Sequence, residues 1–235
     1  VSAGTVRLGI VTGLVFEADI LRSVGADAGP ISILLACEGP GAAASKRATE
    51  KLIADGATHL LSFGIAAALD HVLGAGDVIV ATAFRRAGSA EISSDRGWTE
   101  RLVRRLPNVR LDVIADSASI LATATEKENL RRASSAVLAD MESYGMAEAA
   151  RGRPCAAIRV VSDTAAQGLP FAAIAGANAD GTVSIARVLK AIAANPLQIP
   201  SLIKLGRSTG VATRRLRALA DLGLARSFFA GGLDE

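Results

Sequence analysis

Two carboxylates in the second half of the chain stand where acid–base chemistry is usually placed. Leu138-Ala139-Asp140-Met141-Glu142-Ser143 is followed about twenty residues later by Arg159-Val160-Val161-Ser162-Asp163. Glu142 reads as the mouth of a helix, and Asp163 as the C-terminal end of a very apolar strand, Ala156 to Val161. In α/β proteins small ligands bind along that edge of the sheet. A carboxyl group just beyond a buried strand can be kept protonated near neutral pH by burial or a hydrogen bond, and so can act as an acid. Both residues also have plain readings. Ser-Asp-Thr is capping chemistry, and a first-turn glutamate favours the helix dipole.

The elements that must position these groups follow from the apolar pattern. Strands are expected at Val6 to Val11, Ile31 to Ala36, His59 to Phe63, Val78 to Ala83, Leu111 to Ala115, Ser119 to Thr123 and Cys155 to Val161. Helices are expected at Phe16 to Val24, Ala42 to Asp55, Trp98 to Leu106, Lys127 to Ala133 and Glu142 to Arg151, the last ended by Gly152 and Pro154. Phe84 to Asp95 reads as a polar excursion and Ala165 to Asn178 as a loop or lid. Thr182 to Ala194 and Pro200 to Leu222 read as helices after it. The core is aliphatic, since half of the 235 residues are hydrophobic and few are aromatic, which suits a sheet buried on both faces. The expected fold is therefore α/β: a single domain over residues 1–195 with a mostly parallel twisted central sheet flanked by helices. A basic amphipathic helical extension covers residues 196–235.

Composition excludes several classes. A net charge of +3, with no aromatic residues interleaved among the basic ones, argues against a nucleic-acid binder. Cys37 and Cys155 match no metal or redox spacing and are expected as buried free thiols. His59 and His71 have no ligand-like partners, so no metal is assigned. No basic segment followed by an apolar run opens the chain, and no signal peptide is expected. Because the chain begins at Val1, a few native residues are expected to precede it.

The pattern A-D-M-E-S followed by R-V-V-S-D resembles the nucleoside phosphorylase and nucleosidase superfamily. The resemblance extends through Gly9 to Gly13 with Glu17, Gly39-Pro40-Gly41, Ser62 to Asp70 and Gly76 to Val80, so that it spans roughly residues 6 to 170. It implies cleavage of the bond between a base and ribose. Asp163 is then the acid that protonates N7 of a purine, and Glu142 is the carboxylate that clamps two ribose hydroxyls. Met141 packs on the ribose, and Glu17 holds an attacking water. Ser162 and Arg159 support Asp163. The loops at Gly13, Gly39, Gly64 and Ile65 receive the nucleophile. Ile65 departs from the serine many relatives carry. The phosphorylases' phosphate-binding arginines are not recognisable, which leans toward water. Backbone N–H groups at Gly13, Gly39 and Gly64, with Arg47, Arg85 or Arg86 nearby, keep phosphate open as a co-substrate. No other cofactor is implied.

Gly168-Leu169-Pro170, Asp180-Gly181 and Asn195-Pro196-Leu197 onward to Arg207 are similar to the hopanoid-associated branch. That branch implies removal of adenine from adenosylhopane, giving ribosyl- or phosphoribosyl-hopane. The alternatives are a methylthioadenosine/S-adenosylhomocysteine type of nucleosidase, a general purine nucleoside phosphorylase, and a binding protein that has lost turnover. An extended apolar groove favours adenosylhopane; a small closed pocket favours a small thioether nucleoside such as methylthioadenosine. Phe16, Leu169, Pro170 and Phe171 are candidates for an apolar 5′ pocket. The last helix carries Lys204, Arg207, Arg214, Arg215, Arg217 and Arg226, with Leu202, Leu205, Leu216 and Leu219 as its apolar positions. Such a helix suits an anionic membrane surface; the same pattern also reads as a solvated helix packed on the domain. The expected protein is cytoplasmic, in contact with the inner face of the membrane, and a homo-oligomer, taken as a homodimer.

Overall fold

The computed structural model describes residues 6–24 and 32–225. In chain order the elements are β1 (Arg7–Thr12), α1 (Val15–Val24), β2 (Ser32–Cys37), α2 (Ala42–Ala54), β3 (His59–Ala68), β4 (Val78–Arg85), β5 (Ile92–Ser93) and α3 (Arg96–Arg105). They continue with β6 (Val109–Asp116), α4 (Ala124–Ser134), β7 (Leu138–Asp140), α5 (Ser143–Ala150), β8 (Cys155–Asp163), α6 (Phe171–Gly176) and α7 (Ile185–Ala194). A 3₁₀ turn (Pro196–Gln198) leads into α8 (Ile199–Ala225). Ile31 and Arg226, named above, lie outside the described residues.

The strands obey a period of two, because successive side chains leave a strand on opposite faces. Leu8, Ile10, Leu61, Phe63, Ile158 and Val160 meet α1, α3 and the second half of α8 on one face. Val11, Leu60, Ala157 and Val161 meet α2 and α5 on the other. All of β8 is buried, its apolar residues together with Arg159, Ser162 and Asp163.

The sheet is mixed: most of its strand pairs are parallel, as expected, but not all. β1 runs parallel to β2 and β3, β3 to β8, β4 to β6, and β6 to β7. The pairs β3–β7, β4–β5 and β4–β8 are antiparallel. The cause is closure. β3, β8, β4, β6 and β7 pair in a ring, and β8 can join β3 to β4 only by running with one and against the other. β3 is long enough to pair with β8 along most of its length and with β7 at its end, so it continues past Gly64, where the sequence led us to end it.

Other expectations also shift. Ser119 to Thr123 is a connection, not a strand, because β7 already occupies the edge of β6. Thr123 instead caps α4 in a reciprocal box with Glu126. β7, three buried residues that run into the A-D-M-E-S motif, was not expected as a strand. The segment read as a loop or lid contains α6. Cys155 is buried, which pushes its thiol up to about 12, whereas Cys37 is only half-buried.

Candidate active site

Four chain ends meet at one edge of the sheet: the loop after β1, the late part of β3, the β7–α5 junction and the end of β8. A cavity of about 300 Å³ opens between them. Its wall is mainly apolar, from Leu14, Ile65, Met141, Leu169, Val183 and Leu205, with carboxylates from Glu17, Asp140, Glu142 and Asp163. Among the described residues, no lysine or arginine lines it.

Glu17 lies in the first turn of α1 and is buried. Its Oε2 accepts from the backbone N–H groups of Gly13 (3.1 Å) and Leu14 (3.0 Å), and its Oε1 from that of Ile65 (2.8 Å). Burial raises its pKa above the usual carboxylate range, against the pull of Arg159 and these three donors. The consequence corrects the sequence reading of the glycine loops. The N–H groups of Gly13 and Ile65, expected to receive a nucleophile, are committed to Glu17. Gly39 (φ +94°) backs onto the Ala179 carbonyl rather than the cavity. A Cβ at Gly64 would stand 2.4 Å from both Glu17 Oε1 and Arg159 Nη1. Gly64 is thus the space in which a carboxylate and a guanidinium approach the backbone.

Glu142 occupies the N-cap position of α5, where the dipole favours an anion. Its Oε1 accepts from the Gly41 N–H at 3.2 Å and its Oε2 faces Arg159 Nη2 at 3.3 Å. Burial first, then the charges of Asp140 and Glu17, lift its pKa to about 7, although Arg159 opposes them. Met141 lines the cavity beside it.

Arg159 projects from β8 toward α5, wholly buried. Its Nε donates to Asp140 Oδ2 (2.6 Å) and its Nη2 to Ser62 Oγ (2.6 Å), with Ser143 and Glu142 close by. Burial lowers the stability of its charge, but Asp140, Glu142 and Glu17 outweigh that and hold its pKa above the ordinary arginine value. Its expected support of Asp163 is therefore corrected: the hydrogen bonds of Arg159 run to the Asp140 and Glu142 side.

Asp163 ends β8 at an irregularity. Ala66 pairs with Val161 but Ala67 with Asp163, so Ser162 is the extra residue of a bulge. A bulge re-aims the side chain that follows it, and Asp163 lines the cavity. Ser162 Oγ donates to its Oδ1 at 2.6 Å. Its Oδ2 accepts from Lys127 Nζ, whose other donors reach the carbonyls of Thr164 and Gln167, each at 2.8 Å. Lys127 is completely buried. Sequence reasoning missed it because Ala-Thr-Glu-Lys-Glu-Asn reads as a solvated helix face. One signal was there: a cation in the first turn of a helix opposes the dipole, which points to a tertiary partner. Asp140, Ser143 and Ser62 were quoted in motifs but given no role.

Arg47, Arg85 and Arg86, considered as phosphate partners, lie away from the cavity. Arg47 pairs with Glu38, Arg85 with Glu91, and Arg86 with Asp116 while stacking on Tyr144 at 4.0 Å.

A family model of the phosphorylase superfamily matches residues 26–194. The chain belongs to the phosphorylase superfamily. It is thereby an enzyme of the class that acts on N-glycosyl compounds. Among solved structures, S-adenosylhomocysteine nucleosidase from Streptococcus pyogenes, in complex with 5-methylthiotubericidin, is similar at a TM-score of 0.72 and 19% identity. That match covers 97% of this chain and 99% of the other. Futalosine hydrolase of Helicobacter pylori gives 0.66 and 19%, over 94% and 99%. The 5′-methylthioadenosine/S-adenosylhomocysteine nucleosidase of Campylobacter jejuni gives 0.65 and 18%, over 87% and 99%. At these identities the likeness is one of fold. No curated protein matched the chain.

Proposed function

We propose that this superfamily member hydrolyses the N-glycosidic bond of an adenine nucleoside, with adenosylhopane as substrate, releasing adenine and ribosyl-hopane. The observation that carries the reading is the convergence of Glu17, Glu142, Met141 and Asp163 on one apolar cavity. In this reading the C1′–N9 bond breaks with its electron pair moving to adenine, and Asp163 delivers a proton to N7. Glu142 accepts from two ribose hydroxyls while Met141 packs on the sugar. Water adds to C1′ and gives a proton to Glu17. Lys127, hydrogen-bonded to Asp163, holds the acid in place and supplies the proton that Asp163 passes to N7, leaving the lysine neutral until solvent reprotonates it. Two observations support water over phosphate. No cation lines the cavity among the described residues, and the loop N–H groups that would bind a dianion already hold Glu17.

A volume of about 300 Å³ is at the small end for ligand pockets. It suits a nucleoside and leaves a polycyclic 5′ tail to run out through the mouth. The same volume favours a second reading, a nucleosidase for small thioether nucleosides. The reading further includes a homodimer that needs no cofactor and works at the inner membrane face.

Adenine release from adenosylhopane and from methylthioadenosine, with and without phosphate, tests these points. Hydrolysis of adenosylhopane at the higher kcat/KM, unaffected by phosphate, is expected. Preference for methylthioadenosine selects the second reading, and a ribose 1-phosphate product refutes water as nucleophile. Asp163→Asn is expected to lose roughly 10²–10⁴-fold in turnover; unchanged turnover removes Asp163 as the acid.

A further inference from the structure

Beyond the cavity, the chain leaves the sheet for a helical excursion before α8 returns to the core. α6 and α7 pack on each other, with Ala172, Gly176 and Ala191 as their buried residues. The first half of α8 carries no buried side chain before Ala212. What this excursion leaves uncovered is apolar: Leu197 is 89% exposed, Ile185 72%, Phe171 66%, Leu189 60% and Ile203 50%. Ile185 and Leu189 are one turn apart on α7, and Ile199 and Ile203 one turn apart on α8, so each pair shares a side of its helix. Monomeric proteins rarely leave so many large apolar side chains bare in one region without a partner for them.

Charge says which partner. Residues 181–220 contain seven lysines and arginines and no acidic residue. Lys190, Lys204 and Arg207 are exposed, and no carboxylate pairs with them among the described residues. This corrects the expectation placed on the last helix. Its Leu216 and Leu219 are in the core and cannot meet lipid. The available apolar groups belong to α6, α7, the 3₁₀ turn and the first turns of α8.

We propose that this α6–α8 excursion is an interfacial docking surface for an anionic lipid bilayer. Apolar side chains flanked by unpaired cations match the acyl boundary and the anionic headgroups together. A second copy of the chain is disfavoured, because a twofold contact would set cations against cations. No helix among the described residues is long and apolar enough to cross a membrane, so the surface lies on the bilayer. Val183, Leu205 and Thr209 line the cavity from the same excursion, so docking brings the cavity mouth to the lipid. This last point rests on the proposed function: a nucleoside with a long apolar 5′ tail would enter directly from the bilayer.

Co-sedimentation of the full chain with vesicles tests the surface without turnover. Retention on phosphatidylcholine vesicles containing phosphatidylglycerol is expected, with release at high salt and little retention on phosphatidylcholine alone. Leu197→Asp with Ile203→Asp should weaken retention at least about tenfold, the loss expected for one apolar anchor. Lys190→Glu and Lys204→Glu should each cost about fivefold or more. Hydrolysis of methylthioadenosine by these variants should be unchanged. Equal retention on neutral vesicles at any salt overturns the proposal. So does a wild-type chain that ignores vesicles, or an aspartate variant that turns a dimer into a monomer with no effect on vesicles, which would make the face a contact between copies. Retention without nucleosidase turnover would leave the docking surface standing and sink the proposed function; turnover without retention would do the reverse.

Discussion

Lys127→Met removes the cation that, among the described residues, pairs with the candidate acid. Methionine keeps the length of the stem and loses all three donors. Asp163 Oδ2 and the Gln167 carbonyl then lose the donor Lys127 gave them, while Asp163 Oδ1 keeps the Ser162 hydroxyl and the Thr164 carbonyl keeps the Gln167 N–H. Lys127 has no exposed surface and the Asp163 side chain is only 7% exposed, so solvent does little to replace the interaction. Removing one partner of a buried pair costs about 3–5 kcal/mol. For a chain of this size that lowers Tm by roughly 6–20 °C, within a stability of about 5–15 kcal/mol, so the variant remains folded in the cold. Lys127→Met with Asp163→Asn removes both charges and should recover most of the lost Tm. On an adenine nucleoside, Lys127→Met should lower kcat by about 10²–10⁴-fold, the usual worth of acid assistance. On 4-nitrophenyl riboside, whose leaving group departs without a proton, the loss should be less than about tenfold. Equal losses on the two substrates would mean that Lys127 serves folding alone. No loss on either would refute the argument that it holds the acid.

Glu142 must be ionised to accept two ribose hydroxyls, and burial has lifted its pKa to about 7. KM for the nucleoside should therefore rise as pH falls below about 7, and Glu142→Gln should raise KM and flatten that dependence; a KM independent of pH would remove Glu142 as the clamp. The same shift sets a stability profile, since a carboxyl raised above its unfolded value favours folding while protonated. Its contribution is complete below about pH 4.5 and lost as pH rises through 7. The Tm of Glu142→Gln relative to wild type should accordingly climb over that window. Gly64→Ala would place a methyl 2.4 Å from Glu17 Oε1 and Arg159 Nη1; at about 1–3 kcal/mol of overpacking, turnover should fall with only a modest change in Tm, and unchanged turnover would show that Glu17 is not placed for catalysis.

How legible all this was depended on whether the controlling interactions were local. β8 could be read from its apolar run, which ends the expected strand at Val161, two residues short of its end at Asp163. α5 followed from Gly152 and Pro154 behind it. The ring closure was not legible, because nothing in β4 or β8 taken alone says that they pair antiparallel. β7 was hidden by its length, since three residues carry no period. The bulge at Ser162 needs the register with β3, which is a property of two segments. Lys127 shows the same limit more sharply. Its neighbours are charged and its helix is exposed elsewhere, so only the structure brings it under the β8 loop.

The glycines show how the order of inference can mislead. A glycine after a strand invites a phosphate, because it bares N–H groups at the edge where ligands sit. Here a Cβ at Gly13 would fall 2.5 Å from Glu142 Oε1, and one at Gly64 would strike Glu17 and Arg159. Both positions are empty so that carboxylates of this same chain can lie against the backbone. The anion that these loops receive is already covalently part of the protein, and Arg159 balances it from behind with charges held to Asp140, Glu142 and Glu17. A second anion of charge −2 would meet several carboxylates in a small apolar cavity and, among the described residues, no compensating cation on its wall. In the proposed mechanism water meets no such barrier, and Glu17 is the group that takes its proton. The departure of Ile65 from serine fits the same logic: its N–H serves Glu17 while its side chain keeps the cavity apolar.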